Sequence, residues 1–176
     1  MVSAVYLLLQ KMEHLEQNQN ITVNCCRKQK EFYEIPRSER MKKVYACFCT
    51  DVIHEGHLNI IHEAKKYGKV IAGVLSDAAM IRYNRFPTVS FEERKKMLEQ
   101  IPEVDEVVVQ NEVMYGNILE QIKPDYVIHG DNWKEGPEAA IRANVIEVLE
   151  KNGGELIEVP YTYNENVKRV DDRLKE

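Results

Sequence analysis

The sequence is short of the features that would direct it to a membrane, a metal or a nucleic acid. The apolar run from Val2 to Leu9 is too short to span a bilayer, and no positive segment precedes it. The expectation is therefore a soluble protein of the cytoplasm. Cysteine is sparse: the chain has 4, as the adjacent pair Cys25-Cys26 and as Cys47-x-Cys49. Neither pair has C-x-x-C spacing and no second pair completes a zinc site, so reduced thiols are expected, with Cys47 and Cys49 buried on a strand. Basic charge is also lacking. The 24 Lys and Arg against 29 Asp and Glu leave a formal net charge of −5. No basic stripe interleaved with aromatic residues appears, which argues against nucleic acid as a partner. A chain of 176 residues is most simply one domain with a substantial core.

What is present is an alternation of strands and helices. Val44 to Phe48 reads as a buried strand, followed by a helix opening around His54-Glu55-Gly56-His57. Leu58, Ile61, Ala64 and Tyr67 would form its inward face, and Gly68 a left-handed stop. The seven apolar residues after Lys69 form a strand covered on both faces, and Ala78 to Tyr83 a short helix. Ser90 and Glu93 fit a capping box for a helix through Gln100, with Phe91, Met97, Leu98 and Ile101 inward. Val104–Gln110 and Asp125–His129 read as strands, with a helix over Val113–Ile122 between them. Pro137 suits the first turn of a helix carrying Ile141, Val145, Val148 and Leu149, which Asn152-Gly153-Gly154 stops before a last strand, Leu156–Val159. The pattern predicts an α/β fold, a Rossmann-like, doubly wound, five-stranded parallel sheet over residues 41–163. Residues 1–40 show no sustained period and read as an N-terminal extension, possible outside the native domain, or alternatively as a helix over Ser3–Gln17. Residues 164–176 form a charged helical tail or the start of a linker, and the pattern stops without a cap signal, as in the front part of a longer protein.

Ligands of such sheets bind beyond the carboxyl ends of the strands, and three polar groups fall there. His54 and His57 stand where a strand feeds a helix. Unpaired N–H groups and the helix dipole attract anions at that point, and Gly56 leaves room for phosphate oxygens. The two histidines, three apart, share a face and could grip one phosphoryl group during in-line attack, with Mg²⁺ bridging the remaining phosphates. Otherwise the pair is surface decoration or a weak metal pair. An acceptor that attacks through a phosphate or phosphonate oxygen needs no general base, and the chain offers no obvious one. The loop Gly130-Asp131-Asn132-Trp133 allows hydrogen bonds to a ribose or base and gives Trp133 a flat face for stacking, or else Trp133 is a core plug. His129, which ends the strand, is a minor candidate with a structural alternative. Arg82 and Arg85 could neutralise pyrophosphate or simply lie in a solvated helix end.

The block CTDVIHEGHLNIIHEAKKYG, together with YVIHGDNWKEG, resembles the H-x-G-H nucleotidyltransferase superfamily in its cytidylyltransferase branch. Within it, the likeness is nearest to the nucleotidyltransferase domain associated with phosphoenolpyruvate mutases in phosphonate biosynthesis. The resemblance implies Mg²⁺-dependent transfer of CMP from CTP to a small phosphonate or phosphate acceptor, of the 2-aminoethylphosphonate or phosphocholine class, with release of pyrophosphate. It implies catalytic roles for His54, His57 and Arg94, the last matching an arginine of the family's Y/F-E-x-R-K block, with a salt bridge to Glu93 or Glu99 as the alternative. Thr50, Asp51, Gly56, Arg82, Arg85 and His129 through Trp133 would contact nucleotide or phosphate, and Asp51 could position the metal or merely cap a turn. Arg142 is a lesser candidate for phosphate. A homodimer and a fused or associated mutase-like domain are further implications. Two departures stand out. The family's G-T-F-D is here Phe48-Cys49-Thr50-Asp51, and the segment resembling I-P-Y-T-x-G-I-S-S-T begins as Val159-Pro160-Tyr161-Thr162 but then loses its serines and threonine. That loss favours a rival reading, a nucleotide-binding regulatory module with little turnover. An adenylyltransferase is the third reading, since H-x-G-H alone does not separate ATP from CTP.

Overall fold

The computed structural model describes residues 40–49, 51–162, 165 and 169. The expected extension, the charged tail and Thr50 lie wholly or almost wholly outside the described residues. Five strands are seen, β1 (Lys43–Phe48), β2 (Lys69–Leu75), β3 (Glu106–Gln110), β4 (Tyr126–Gly130) and β5 (Glu155–Val159). They form one parallel sheet in the order β3-β2-β1-β4-β5. The chain winds outward from β1 in one direction and then returns to wind in the other, so the switch point lies between β1 and β4.

Helices cover both faces. Strand alternation sends Val44, Ala46 and Phe48 to one side, where they pack on Ile61 and Ala64 of α1 (Glu55–Lys65) and Leu98 of α3 (Phe91–Glu99). Tyr45 and Val127 point to the other side and meet α4 (Gly116–Ile122) and α5 (Ala139–Asn152) through Leu119, Val145 and Leu149. The short α2 (Asp77–Arg82) leads out of β2, capped by Ser76. Ser90 and Glu93 form the expected reciprocal capping box of α3.

Several local expectations are corrected. Only Ile61 and Ala64 of the α1 stripe are buried; Leu58 and Tyr67 are 46% and 37% exposed. A strict three-residue spacing turns about 60° per step around a helix, so four such positions span half its circumference and cannot all face a sheet. Gly68 is not a helix stop, for α1 ends at Lys65 with Lys66 in right-handed conformation. Its role is close approach: it has φ +153°, and a Cβ there would lie 2.2 Å from the Lys42 carbonyl oxygen. Residues 104 and 105 are irregular and only lead into β3, with Asp105 accepting from the Val70 N–H at 2.8 Å. α4 begins at Gly116 instead of Val113 because Asn144 Oδ1 of α5, distant in sequence, accepts the Tyr115 and Gly116 N–H groups at 3.1 Å each. Pro137 sits in a separate 3₁₀ turn, Gly136–Glu138, ahead of α5. Gly153 ends α5 at φ +67°, as expected.

Candidate active site

The carboxyl ends of β1, β2, β4 and β5 rim a cavity. On one wall stands the amino end of α1. His54 is its N-cap in extended conformation and His57 lies in its first turn, the His57 N–H donating to the His54 carbonyl at 2.9 Å. The turn stacks the two imidazoles, centroids 3.8 Å apart and planes 24° from parallel, and the Phe48 ring meets His57 edge-on at 5.5 Å. Gly56 makes the stack possible: a Cβ there would press the His54 ring at 3.1 Å. Both histidines and Gly56 line the cavity.

Burial governs the charge of His57. It drives the His57 pKa down to about 3, the His54 ring adds to the shift, and a Val52 backbone group opposes it. His57 is therefore a neutral imidazole near pH 7, able to offer an anion one N–H but no positive charge. His129, at the end of β4, is likewise lowered, chiefly by burial.

On the facing wall are His129, Gly130 and Asn132, with Pro160, Tyr161 and Thr162 beyond β5. Two hydrogen bonds fasten the last segment. The Tyr161 N–H donates to Asp131 Oδ1 at 2.9 Å, and Asn59 Nδ2 of α1 donates to Thr162 Oγ1 at 3.0 Å. Asp131 thus holds backbone and is not on the cavity wall. Trp133 is 1% exposed, as the core-plug alternative has it. Its ring stacks on His129, centroids 3.7 Å apart, and its Nε1 donates to Glu158 Oε1 at 2.9 Å. It contributes an edge to the cavity and otherwise plugs the core.

The arginines separate. Arg85 reaches the cavity; Arg82 is exposed and donates back to the Ala78 carbonyl of its own helix at 3.1 Å. Arg94, expected to be catalytic, is 1% exposed and lies off the cavity wall. It donates to the Leu75 carbonyl at 2.7 Å, to Val89 O and to Asp77, tying the end of β2 to α3. Its expected partners, Glu93 and Glu99, instead bond Ser90 and Lys95. Arg142 forks onto Glu158 at 2.9 and 3.1 Å, so its donors are taken by a carboxylate. Asp51 is buried and off the wall, with Oδ2 accepting the Thr88 N–H and hydroxyl and Oδ1 lying 3.8 Å from Arg94. That geometry does not fit a metal ligand. Among the described residues no three His, Cys, Asp or Glu side chains gather to hold a cation.

Among the wall residues that escaped the sequence reading are Asn59, Tyr83, Tyr115, Glu138, Tyr161 and Thr162. Tyr161 and Thr162 carried a signal, the Val-Pro-Tyr-Thr run; Glu138, following a proline at a helix start, carried none.

A switch-point cavity of a doubly wound sheet, walled by stacked imidazoles at a helix amino end, defines a nucleotide-handling α/β protein of the nucleotidyltransferase class. The chain belongs to the cytidylyltransferase-like family, whose model matches residues 45–166. Among its relatives, FAD synthase of Ferroglobus placidus is 28% identical over 144 residues, 77% of this chain and 95% of that protein. Ethanolamine-phosphate cytidylyltransferase of Arabidopsis thaliana is 30% identical over 106 residues, 57% of this chain but 25% of its own. The bifunctional protein HldE of Desulfatibacillum aliphaticivorans is 27% identical over 127 residues, 70% of this chain and again 25% of its own. The fold is shared with the crystal structure of the lipopolysaccharide core biosynthesis protein of Thermoplasma volcanium, at TM-score 0.58 and 21% identity over 72% of this chain and 100% of that one. No helix among the described residues is long and apolar enough to cross a membrane.

Proposed function

We propose that the protein transfers CMP from magnesium-bound CTP to a small phosphate or phosphonate acceptor. The observation that carries this reading is the stacked His54–His57 pair at the amino end of α1, on the wall of the switch-point cavity. An ionised acceptor oxygen attacks the α-phosphorus in line. The new P–O bond forms as the α–β bridging bond breaks, and its electron pair leaves with pyrophosphate. His57, uncharged, and His54 donate hydrogen bonds to the charge that builds on the α-phosphoryl oxygens, and the α1 N–H groups add to them. Asp51 Oδ2 is taken by Thr88 and Oδ1 faces Arg94, so Mg²⁺, which would neutralise phosphate charge, would be held mainly through the nucleotide's phosphates.

The ethanolamine-phosphate cytidylyltransferase relative supports CTP and a phosphate acceptor. FAD synthase supports an adenylyl donor as the second reading, since FAD contains AMP. The phosphonate acceptor rests on resemblance. So does a fused mutase-like domain, to which the bifunctional HldE relatives lend only the general precedent of fusion.

Pyrophosphate release should be measured with CTP and ATP separately, against 2-aminoethylphosphonate, phosphocholine and glycerol 3-phosphate. Release with CTP and one acceptor, reduced about 10²–10³-fold in His57→Ala, is the expected result. Release with ATP alone would make the protein an adenylyltransferase. Tight nucleotide binding without release would make it a regulatory binding module.

A further inference from the structure

Residues 84–90, between α2 and α3, carry Arg85 to the cavity wall, where it pairs with Glu138, nitrogen to oxygen 4.0 Å. None of these residues is buried, and Phe86, next to Arg85, is 53% exposed. The segment is therefore placed by polar ties and not by the apolar core. Asn84 turns out of α2 in left-handed conformation, φ +57°, and the Arg85 N–H donates to the Met80 carbonyl at 2.9 Å. At the far end two buried side chains grip the backbone. Asp51 Oδ2 accepts the N–H of Thr88 and, at 2.7 Å, its hydroxyl. Arg94 Nε donates to the Val89 carbonyl at 3.2 Å, while its other nitrogens reach Asp77 and the Leu75 carbonyl at the end of β2. The two face each other, Arg94 Nε 3.8 Å from Asp51 Oδ1, and are 1% and 4% exposed. Such a pair is costly to break, since either charge removed leaves the other buried and uncompensated.

We propose that Asp51 and Arg94 are positioning residues, which together set Arg85 against the β- and γ-phosphates of a bound nucleotide. The inference rests on the nucleotidyl-transfer reading and deepens it by giving the two buried charges a part in it. Only Phe86 and Pro87 separate Arg85 from the anchored Thr88. The proline fixes its own backbone and restricts that of Phe86, so an anchor at Thr88 is felt at Arg85. Asp51 stands in the connection from β1 to α1, three residues ahead of His54. The carboxylate that holds Thr88 thus belongs to the loop that delivers the histidine pair. It fastens the wall that meets the α-phosphoryl group to the wall that meets the leaving pyrophosphate. In-line displacement needs both contacts at once, and a shift of about 1 Å in either costs about 10²-fold in rate. Arg94 serves three acceptors with one rigid fork, a task that a lysine ammonium does not match.

The test is calorimetric titration of the full chain with CTP and CMP, and with ATP and AMP, since only the triphosphates carry the groups assigned to Arg85. The wild type should bind one triphosphate more tightly than its monophosphate. Arg85→Gln should weaken that triphosphate about tenfold and leave the monophosphate unchanged. Arg94→Lys should do the same, and the double variant should be no worse than Arg85→Gln alone. A merely structural Arg94 lowers both nucleotides together and adds its loss to that of Arg85→Gln. Either result overturns the proposal, as does a wild type without the preference or an Arg94→Lys that keeps it. If Arg94→Lys does not fold, Thr88→Val, which removes only the hydroxyl donor, should show the same pattern at about threefold, judged by the same criteria. Pyrophosphate release followed in parallel separates the two readings. The binding pattern without turnover leaves the tie standing and removes the transferase; turnover indifferent to Arg94→Lys and Thr88→Val does the reverse.

Discussion

His57 joins the proposed chemistry of the site to the stability of the fold. In the folded chain its pKa is held at about 3, whereas an ordinary imidazole titrates near 6.5. Below pH 6.5 the unfolded chain binds a proton that the folded chain refuses, so stability falls as pH drops through this window and is complete above it. One such group costs at most about 2 kcal/mol at pH 5, and buried His129 adds to it with the same sign. Urea melts at pH 7 and pH 5 should therefore show a loss at pH 5 that His57→Gln reduces. An equal loss in both proteins would show that His57 takes up its proton without unfolding. Residue identity and spacing marked His57, because a histidine between a strand and a helix start is visible along the chain. They could not show that Arg94 is sealed behind Leu75 and Asp77, or that Trp133 turns its indole to Glu158. Those outcomes depend on partners 17 to 25 residues away, which no local pattern contains.

Strands and helices were legible because apolar periodicity follows the burial of each face; the ties between elements were not. Tyr45 of β1 crosses above Gly73 of β2 and donates to Gln110 Oε1 of β3 at 2.6 Å, lacing three strands together. Gly73 is required for this passage, since a Cβ there would sit 2.0 Å from the Tyr45 hydroxyl. Gly73→Ala should destabilise by about 1–3 kcal/mol through overpacking. Tyr45→Phe should cost about 1–3 kcal/mol by leaving the buried Gln110 oxygen without its donor. Chemical denaturation of both and of the double variant should show a smaller sum than the singles, because the two changes act on one contact. A second tie joins β5 to the site. Arg142 first, then the Trp133 indole, hold the Glu158 pKa at about 2, against the opposing effect of burial. Its stabilising contribution is complete above the ordinary glutamate value of 4.5 and is lost as pH falls toward 2. Trp133 is the chain's 1 tryptophan, so its emission reports this tie alone. Glu158→Gln should red-shift that emission by a constant amount between pH 5 and pH 7; an unchanged spectrum would mean the core holds the indole without Glu158.

At the scale of the whole molecule, the boundary expected at Met41 meets a physical objection one residue earlier. Arg40 reaches back to Asp125 at the foot of β4, with guanidinium nitrogens 3.2 Å from each carboxylate oxygen. The same carboxylate accepts the Lys43 N–H at 2.8 Å, so Asp125 aligns the entry of β1 beside β4, the two strands that flank the cavity. Asp125 is 7% exposed, and a carboxylate so buried depends on its cation more than a surface pair does. A chain begun at Met41 should therefore melt lower than one begun at Arg40. A loss of about 1 kcal/mol corresponds to about 3–5 °C for a domain of this size. If residues 1–39 are an extension outside the domain, as their composition suggests, the Arg40 chain should melt with the full-length protein. A full-length chain that melts well above it would assign those residues a stabilising role. The Met41 chain should also lose nucleotide affinity, since a shift at the foot of β1 is carried along its backbone to His54 at the other end. Thermal melts of the three chains with and without CTP measure both effects. If the Met41 chain melts lower but gains as much from CTP as the Arg40 chain, the Arg40–Asp125 pair supports the sheet without reaching the cavity.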